Sequence, residues 1–475
     1  MGSMPMPSSR GSWPWANSVA PNAGHKVIVL DDDPTGSQTV HSCPLLTRWD
    51  TAVLKAAICA PGPLVFVLTN TRAMSAAQAA ETVRAVCRNL RAALAELARD
   101  GVVIRPVFVS RSDSTLRGHY PVETDVMAEE LGPFDAHFLV PAFFEGGRVT
   151  RAGRHYLLVD GIPVPVHETE FARDTVFGYH TSDLREYVAE KTAGRVKAAD
   201  VLLFSLADIR AGCGARLRAL SGNACCVVDA EAQGDLDRFA HDLHEAVDAG
   251  QRFLFRSAAS LLTSLAHLPP QPVSPEAMSG YARGPVGVVL VGSHVRKTTE
   301  QLAALMGEPT VAGVEIDIDR VRDAQDPAWH DPAWHGSVLA AIRAAHGAHK
   351  TAVLFTSRRE RQFADGSERL RFGAAVSAFL MRIVQALPDT TGFLISKGGI
   401  TSNDVLSTGL SLVTCEVVGQ ILPGCSVVRC PKTHSRHPDM PVVIFPGNVG
   451  DAEALKTVYR RMAGLVASPA APPVH

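Results

Sequence analysis

The chain has 475 residues, of which 46% are hydrophobic, and this is enough apolar material for more than one hydrophobic core. Its formal net charge of -2, without a basic run, argues against a nucleic-acid-binding protein. No apolar stretch is long enough to span a membrane, and the nine scattered cysteines form no C-x-x-C pair. We therefore expect a cytoplasmic protein with reduced thiols and without nucleic-acid or membrane partners.

In chain order, the first half alternates between apolar runs of strand length and helical patterns. Residues 1–24 are predicted to be a disordered leader; they are not a signal peptide, because they lack its apolar core. A helix is predicted over 75–101, where Ser75 and Gln78 form a capping box and Gly101 stands at the C-terminal cap. Strands are predicted within 26–33, 62–71, 105–115, 136–144, 200–208 and 224–232.

A proline-rich segment, 266–285, interrupts this alternation and is predicted to be a linker. Strand-and-turn patterns then resume within 286–295, 351–360, 391–404 and 441–451. The sequence thus predicts two α/β domains, 25–265 and 286–465, followed by a tail over 466–475. Each domain is expected to have a mainly parallel sheet flanked by helices.

Three consecutive carboxylates, Asp31 to Asp33, close the first predicted strand. Ligands bind at the carboxyl ends of parallel strands, so these acids are candidate site residues, together with the Thr35 hydroxyl and the Gly36 turn. Carboxylates beside apolar packing need a cation, a metal or a polar substrate nearby. A solvated turn is the plain alternative. The pattern D-x-D-x-T also resembles haloacid-dehalogenase-type phosphatases, with Asp31 as nucleophile and Asp33 as general acid/base.

A second polar cluster follows the strand predicted within 105–115. Its candidate site residues are Arg111, Asp113, Ser114, Arg117 and Gly118. Arginine binds carboxylates through forked contacts and hydroxyls bind sugar alcohols, so this loop predicts a receptor for a small, acidic, polyhydroxy ligand. An exposed surface loop is the alternative. Arg148 follows the next strand, and three polar loops at strand ends in one domain favour a shared site.

Three glycine turns follow predicted strands in the second half. The candidate nucleotide-binding residues there are Ser293, Gly398, Gly399, Ile400, Thr401, Gly447 and Asn448. Glycine turns that precede helices present free N–H groups to anions, and three in one domain indicate a nucleotide. The repeat DPAWHDPAWHG at 326–336 carries His330 and His335, which could ligate a metal. We interpret it as a surface insertion, because no other ligand cluster accompanies it.

Together these motifs resemble the four-carbon acid sugar kinase family over nearly the whole chain after residue 25. The family's D-D-x-T-G corresponds to 32–36, its S-T-x-R-G to 114–118 and its P-A-F-x-x-x-G-R to 141–148. Its G-S, G-G-x-T and G-N-x-G motifs correspond to 292–293, 398–401 and 447–450. The order and span of the set make the resemblance specific, although the family usually has an acid where this chain has Ile400.

The resemblance implies an N-terminal domain that binds a small acid sugar of the threonate, erythronate or 3-oxo-tetronate type. It implies a C-terminal domain that binds ATP, with Mg²⁺ bridging the phosphates. Asp33, or else Asp32, would take the proton from the attacking hydroxyl, and Arg117, supported by Ser114 and Arg111, would hold the carboxylate. No metal-binding residue is assigned, and a homodimer is one candidate assembly. A phosphatase and a non-catalytic sugar-acid sensor are the alternative functions.

Overall fold

The computed structural model describes residues 24–292, 295–321, 331–358, 366–447 and 449–466. The predicted leader and tail lie outside these residues except for Gly24 and Val466, and so do Ser293, His330 and Asn448.

The first half contains β1 (His25–Asp31), β2 (Cys43–Leu46), α1 (Thr51–Cys59), β3 (Leu64–Leu68), α2 (Ala76–Arg99), β4 (Arg105–Arg111), α3 (Val122–Leu131), β5 (Ala136–Val140), β6 (Arg148–Arg151), β7 (Arg154–Val159), β8 (Ile162–Pro165), α4 (Leu184–Lys191), β9 (Leu202–Phe204), α5 (Leu206–Ala211), α6 (Gly214–Arg218), β10 (Ala224–Val228), α7 (Gln233–Asp248), β11 (Phe253–Ser257) and α8 (Ser260–Leu265). The second half contains β12 (Val288–Val291), α9 (Arg296–Met306), β13 (Val311–Ile316), α10 (Pro332–Gly347), β14 (Thr351–Thr356), α11 (Gly366–Gln385), β15 (Leu394–Lys397), α12 (Gly399–Asp404), β16 (Thr414–Leu422), β17 (Cys425–Arg429), β18 (Pro441–Phe445) and α13 (Ala454–Met462).

Local sequence explains where the long helix α2 begins and ends. The Ser75 side chain accepts a hydrogen bond from the Gln78 N–H, and the Gln78 side chain accepts one from the Ser75 N–H, so the predicted capping box is present. Gly101 follows the helix with a φ of 79°, a conformation that favours glycine. The predicted helix over 75–101 is thereby confirmed.

The described strands other than β6, β7 and β8 belong to one 15-stranded sheet in the order β13-β14-β12-β15-β18-β17-β16-β2-β3-β1-β4-β11-β5-β10-β9. All neighbours from β2 to β9 in this order are parallel. All neighbours from β13 to β18 are parallel too. Alternate residues of β1 pack into two cores, Ile28 with α1 and α2 on one face and Val27 with α7 and α8 on the other. The predicted fold class is therefore confirmed.

An antiparallel segment joins the two parallel regions. Strand β16 pairs antiparallel with β2 on one side and with β17 on the other, and β17 pairs antiparallel with β18. The sheets predicted for the two halves therefore merge into one. The two parallel regions therefore run in opposite directions within the sheet, and loops that follow strands of both regions line one cleft.

Residues 266–285, predicted to be a linker, pack against the second half. Met278 lies in a short helical turn and is fully buried. The Gln271 side chain accepts a hydrogen bond from the Gln420 N–H at 2.5 Å, which ties this segment to β16. Strands β6, β7 and β8 form a separate antiparallel sheet, whose first residue is Arg148. None of the described helices is both long and apolar enough to cross a membrane.

Candidate functional site

A cleft with a volume of about 560 Å³ lies where the two parallel regions face each other. The first half lines it with loops that follow β1, β3, β4 and β5, and the second half with turns that follow β15 and β18. The predicted site residues that line this cleft are Asp33, Thr35, Arg111, Asp113, Ser114, Arg117, Arg148, Gly399 and Gly447. The cleft thus brings the predicted sugar-binding loops together with two of the predicted nucleotide-binding turns.

The three consecutive acids Asp31 to Asp33 form what we call the acidic turn, and Asp33 is the one of them that lines the cleft. Its Oδ1 accepts from the Thr35 N–H at 2.8 Å and from the Thr35 hydroxyl at 2.6 Å, and its Oδ2 lies 2.9 Å from Arg72 Nη1. Burial opposes ionisation, but Arg72 and these hydrogen bonds outweigh it and hold the pKa of Asp33 below its ordinary value. Asp33 is therefore an ionised carboxylate held in one orientation at the cleft wall.

Asp32 lies beneath the cleft surface and is buried. Arg72 Nη2 lies 2.5 Å from Asp32 Oδ1. On the other side, Arg256 Nη2 lies 3.8 Å from Asp32 Oδ2, and Arg256 also pairs with the buried Glu123. Gly118 permits this packing, because a Cβ there would lie 2.9 Å from Asp32 Oδ2. Asp32 and Gly118 thus support the site from below, since neither lines the cleft.

Asp31 is fully buried and does not line the cleft. Gly36 packs directly on its carboxylate, where any side chain at that position would overlap it. Arg111 Nη1 lies 3.5 Å from Asp31 Oδ1, while Asp31 Oδ2 has no hydrogen-bond partner among the described residues. Burial, opposed by Arg111, raises the pKa of Asp31 to about 8. This placement disfavours the phosphatase interpretation, which requires an accessible nucleophile at Asp31.

Arg117 lines the cleft, but its charge is largely compensated within the protein. Its Nε donates to Asp113 Oδ2 at 2.6 Å, and Asp113 also accepts from the Thr115 hydroxyl. The Arg117 guanidinium lies 5.0 Å from the centre of the Phe171 ring. Although burial opposes ionisation, Arg72 and Arg117 hold the pKa of Asp113 well below its ordinary value. A substrate can therefore reach only the Nη atoms of Arg117 without breaking this pair.

Arg148 is a cation without an ion-pair partner: no carboxylate of the described residues lies within 4 Å of its guanidinium. Its Nη1 donates to the Gly146 carbonyl, and its Nε is buried without a partner in the described part of the chain. Gly146 makes room for the guanidinium, because a Cβ there would overlap it. Burial lowers the pKa of Arg148. Arg111 also has a buried Nε that lacks such a partner. Arg148 is thus the cation best suited to receive an anionic group in the cleft.

Gly399 brings the second half against the acidic turn. A Cβ on Gly399 would lie 3.6 Å from Asp33 Oδ1, so the glycine leaves open space between the two halves. Gly447 and Gly450, in the turn after β18, line the same wall of the cleft. Backbone N–H groups at glycine turns bind anions, and this wall therefore suits phosphates.

The other predicted residues of these turns lie elsewhere. Gly398 has a φ of 117° and donates its N–H to the Phe445 carbonyl at 2.8 Å, so it shapes the turn. Thr401 packs on Gly292, where a Cβ would lie 2.6 Å from Thr401 Oγ1. Ile400 is 68% exposed and does not line the cleft. Ser293 and Asn448 lie outside the described residues.

Sequence analysis missed three residues that shape this site. Arg72 lies just past β3 and contacts both Asp32 and Asp33. Its position at the carboxyl end of a strand could have marked it as a candidate, but its partners could not be predicted from local sequence. Arg256 follows three apolar residues of the buried strand β11, which is an unusual place for a charge. Lys397 ends β15 and is fully buried beneath the turn after β18.

No group of three or more His, Cys, Asp or Glu side chains that could hold a metal ion occurs among the described residues. His335, one of the two histidines of the duplicated segment, lies in α10 with its ring 6.4 Å from the Phe379 ring. Its partner in the repeat, His330, falls outside the described part of the chain.

Two family models match the chain in tandem. Residues 27–265 match a sugar-binding N-terminal domain, and residues 288–455 match a nucleotide-binding C-terminal domain. The chain belongs to the four-carbon acid sugar kinase family. The D-erythronate kinase of Heliobacterium modesticaldum is similar to this family member, with 27% identity over 412 residues that cover 83% of this chain and 86% of the relative. The resemblance inferred from the motifs is thereby confirmed.

Solved structures share the fold of this family member. A protein from Salmonella typhimurium LT2 superposes with a TM-score of 0.65 at 18% identity, covering 93% of this chain and 100% of the other. Haemophilus influenzae protein HI1011 gives a TM-score of 0.60 at 17% identity, covering 92% of this chain and 100% of the other. At these identities the likeness concerns the fold alone.

Proposed function

We propose that the protein is an ATP-dependent kinase that phosphorylates a hydroxyl of a four-carbon acid sugar of the threonate, erythronate or 3-oxo-tetronate type. The main evidence for this proposal is the position of Gly399, which lies beside the Asp33 carboxylate in the cleft. A phosphate-binding glycine turn beside a potential base is the juxtaposition that phosphoryl transfer to an alcohol needs. The tandem family models and the relative named as a kinase support the same function.

In this proposal Asp33 is the general base for the attacking hydroxyl. It lines the cleft and is fixed by Arg72 and Thr35, whereas Asp32 is enclosed by Arg72 and Arg256. The low pKa of Asp33 keeps it ionised at neutral pH, and a positioned carboxylate then accepts the proton as the hydroxyl attacks.

The acid group of the sugar binds at Arg148, assisted by the Nη atoms of Arg117 and by the Ser114 hydroxyl. Arg148 is preferred because Arg117 is already paired with Asp113, while the buried Nε of Arg148 has no partner among the described residues. The sequence pointed to Arg117 as the main ligand of the acid group; we now propose Arg148 for that role, in the same cleft.

ATP is proposed to place its phosphates against Gly399, Gly447 and Gly450. A Cβ at Gly399 would be in van der Waals contact with Asp33 Oδ1, at 3.6 Å, so a larger side chain there would occupy space beside this carboxylate. Mg²⁺ usually binds proteins through one or two carboxylates and completes its shell with phosphates and water. Asp451 and Glu453 line the cleft beside the turn after β18; Glu453 Oε2 lies 3.2 Å from Lys456 Nζ, so Asp451 is the carboxylate that would hold such an ion. A bound Mg²⁺ would neutralise part of the negative charge of the phosphates.

We also propose that the protein works in the reducing cytoplasm, because all nine cysteines are free thiols. Most of them are buried, and burial raises the pKa of Cys87, Cys213, Cys225, Cys226 and Cys430 to about 12. Such thiols are packing residues with little reactivity.

The test is a panel of tetronic acids, each incubated with the full-length protein, ATP and Mg²⁺ and monitored for ADP. We expect ADP formation that depends on one or a few of these acids and yields a phosphorylated product. If a folded protein binds both ligands without turnover, it is a sensor. If it instead releases phosphate from phospho-sugars without ATP, the phosphatase interpretation replaces the kinase.

A further inference from the structure

Lys397 is a fully buried lysine whose amine is used entirely within the protein. It is the last residue of β15, and its Nζ donates to the Pro446 carbonyl at 2.6 Å and to the Gly447 carbonyl at 3.1 Å. The same atom lies 4.0 Å from the centre of the Phe445 ring. Burying a lysine is costly, and this chain places it directly under the turn that follows β18.

The direction of these carbonyls determines what the turn shows to the cleft. In a trans peptide the C=O and the N–H point in opposite directions, and the peptide that joins Pro446 to Gly447 is trans. Because Lys397 holds the Pro446 carbonyl inward, the Gly447 N–H points away from the lysine. Gly447 lines the cleft, and no acceptor pairs with its N–H in the described part of the chain.

We propose that Lys397 is a positioning residue for the nucleotide phosphates, which holds the Pro446 and Gly447 carbonyls inward and thereby directs the Gly447 N–H toward the cleft. This inference rests on the proposed binding of ATP by the second half. Without the amine, the two carbonyls would lose their buried donor, and the peptide could turn an oxygen toward the phosphates. Such an oxygen would repel an anion that the N–H attracts.

The role does not depend on the charge of the amine. Burial lowers the pKa of Lys397 to about 7, with Cys425 raising it and Lys297 lowering it. A neutral amine still carries two hydrogens, enough for the two carbonyls, so the turn keeps its orientation in either protonation state.

The test compares ADP with adenosine, since only ADP has the phosphates that the turn would bind. Isothermal titration of the full-length Lys397→Met protein, with Mg²⁺ present, should show a roughly ten- to hundredfold loss of ADP affinity. Adenosine affinity should stay within about threefold of wild type, which a general loss of structure would not produce.

The chain offers a matched control in Lys26, another buried lysine that donates to two carbonyls, those of Ala60 at 2.7 Å and Gly62 at 2.6 Å. Lys26 does not line the cleft, so Lys26→Met should leave ADP affinity unchanged even if it lowers stability. Equal losses for ADP and adenosine in Lys397→Met, or no loss for either, would overturn the inference.

A second variant keeps the test independent of whether Lys397→Met folds. Gly447→Pro leaves the lysine intact and deletes the amide hydrogen that it orients. It should lose ADP affinity by about tenfold or more while keeping adenosine affinity, and an unchanged ADP affinity contradicts the inference. A wild-type protein that fails to bind ADP at all would refute the proposed function itself, which is a different outcome.

Discussion

Replacing Arg148 by methionine tests the acid-sugar subsite, and we expect the KM for the acid to rise roughly ten- to a hundredfold. Hydrogen bonds to a charged group contribute about 1.5–3 kcal/mol, and each 1.4 kcal/mol corresponds to about tenfold. Arg148 has no carboxylate partner among the described residues, so its loss breaks no ion pair and should change stability little. The KM for ATP should stay the same, because ATP is proposed to bind the opposite wall.

Steady-state ADP formation with the best acid from the panel measures both KM values in one series. Arg151→Met is the matched control, because Arg151 lies at the other end of β6, is 62% exposed and pairs with Glu231 outside the cleft lining. Thermal melting of both variants reports whether they fold. The reasoning is refuted if a folded Arg148→Met enzyme keeps its KM for the acid within threefold of wild type, or if its KM for ATP rises instead.

Two further predictions concern the cleft, and a third concerns the buried Asp31. Asp33→Asn should lower kcat by about 10²- to 10⁴-fold in steady-state assays; a kcat close to wild type would remove Asp33 from the chemistry. Gly399→Val should weaken ADP binding in a titration, because its side chain would enter the space facing Asp33; unchanged affinity would place the phosphates elsewhere. Burial raises the pKa of Asp31 from 3.8 to about 8, so the folded state binds a proton that the unfolded chain releases, and the unfolding free energy should fall as pH rises from about 4 to 8. Urea titrations of Asp31→Asn should show a flatter profile in that window, and an unaltered profile would show that Asp31 does not carry the effect.

The sequence was sufficient to predict the parallel regions and the loops at their strand ends. Apolar runs such as Val27 to Leu30, closed by acids, indicate buried strands, and the carboxyl ends of such strands collect ligands. That rule correctly brought Asp33, Asp113 and Arg148 to one cleft. Motif order then identified the family, which local propensity alone would not have done.

The remaining features depend on contacts between distant parts of the chain. Local sequence separates Asp33 from Asp32 only weakly. In the structure Arg72 contacts both carboxylates, Arg256 lies beside Asp32, and of the two acids only Asp33 lines the cleft. The ion pair between Arg117 and Asp113 could be suspected from their spacing. That Arg148 has no carboxylate partner among the described residues became visible only once its surroundings were known. The pairing of β2 with β16 is similarly invisible in sequence patterns, because it joins segments from opposite halves of the chain.

The pairing of β2 with β16 also has a consequence for biosynthesis. While the ribosome is still making the second half, the nascent first half has an unpaired edge along β2, and exposed strand edges favour aggregation. The sheet can be completed only after β16, β17 and β18 have left the ribosome. Expressing 286–465 alone would leave the complementary edge of β16 uncovered in the same way. We therefore expect a split version of this protein to remain in solution when the two halves are co-expressed, and not when either fragment is expressed alone.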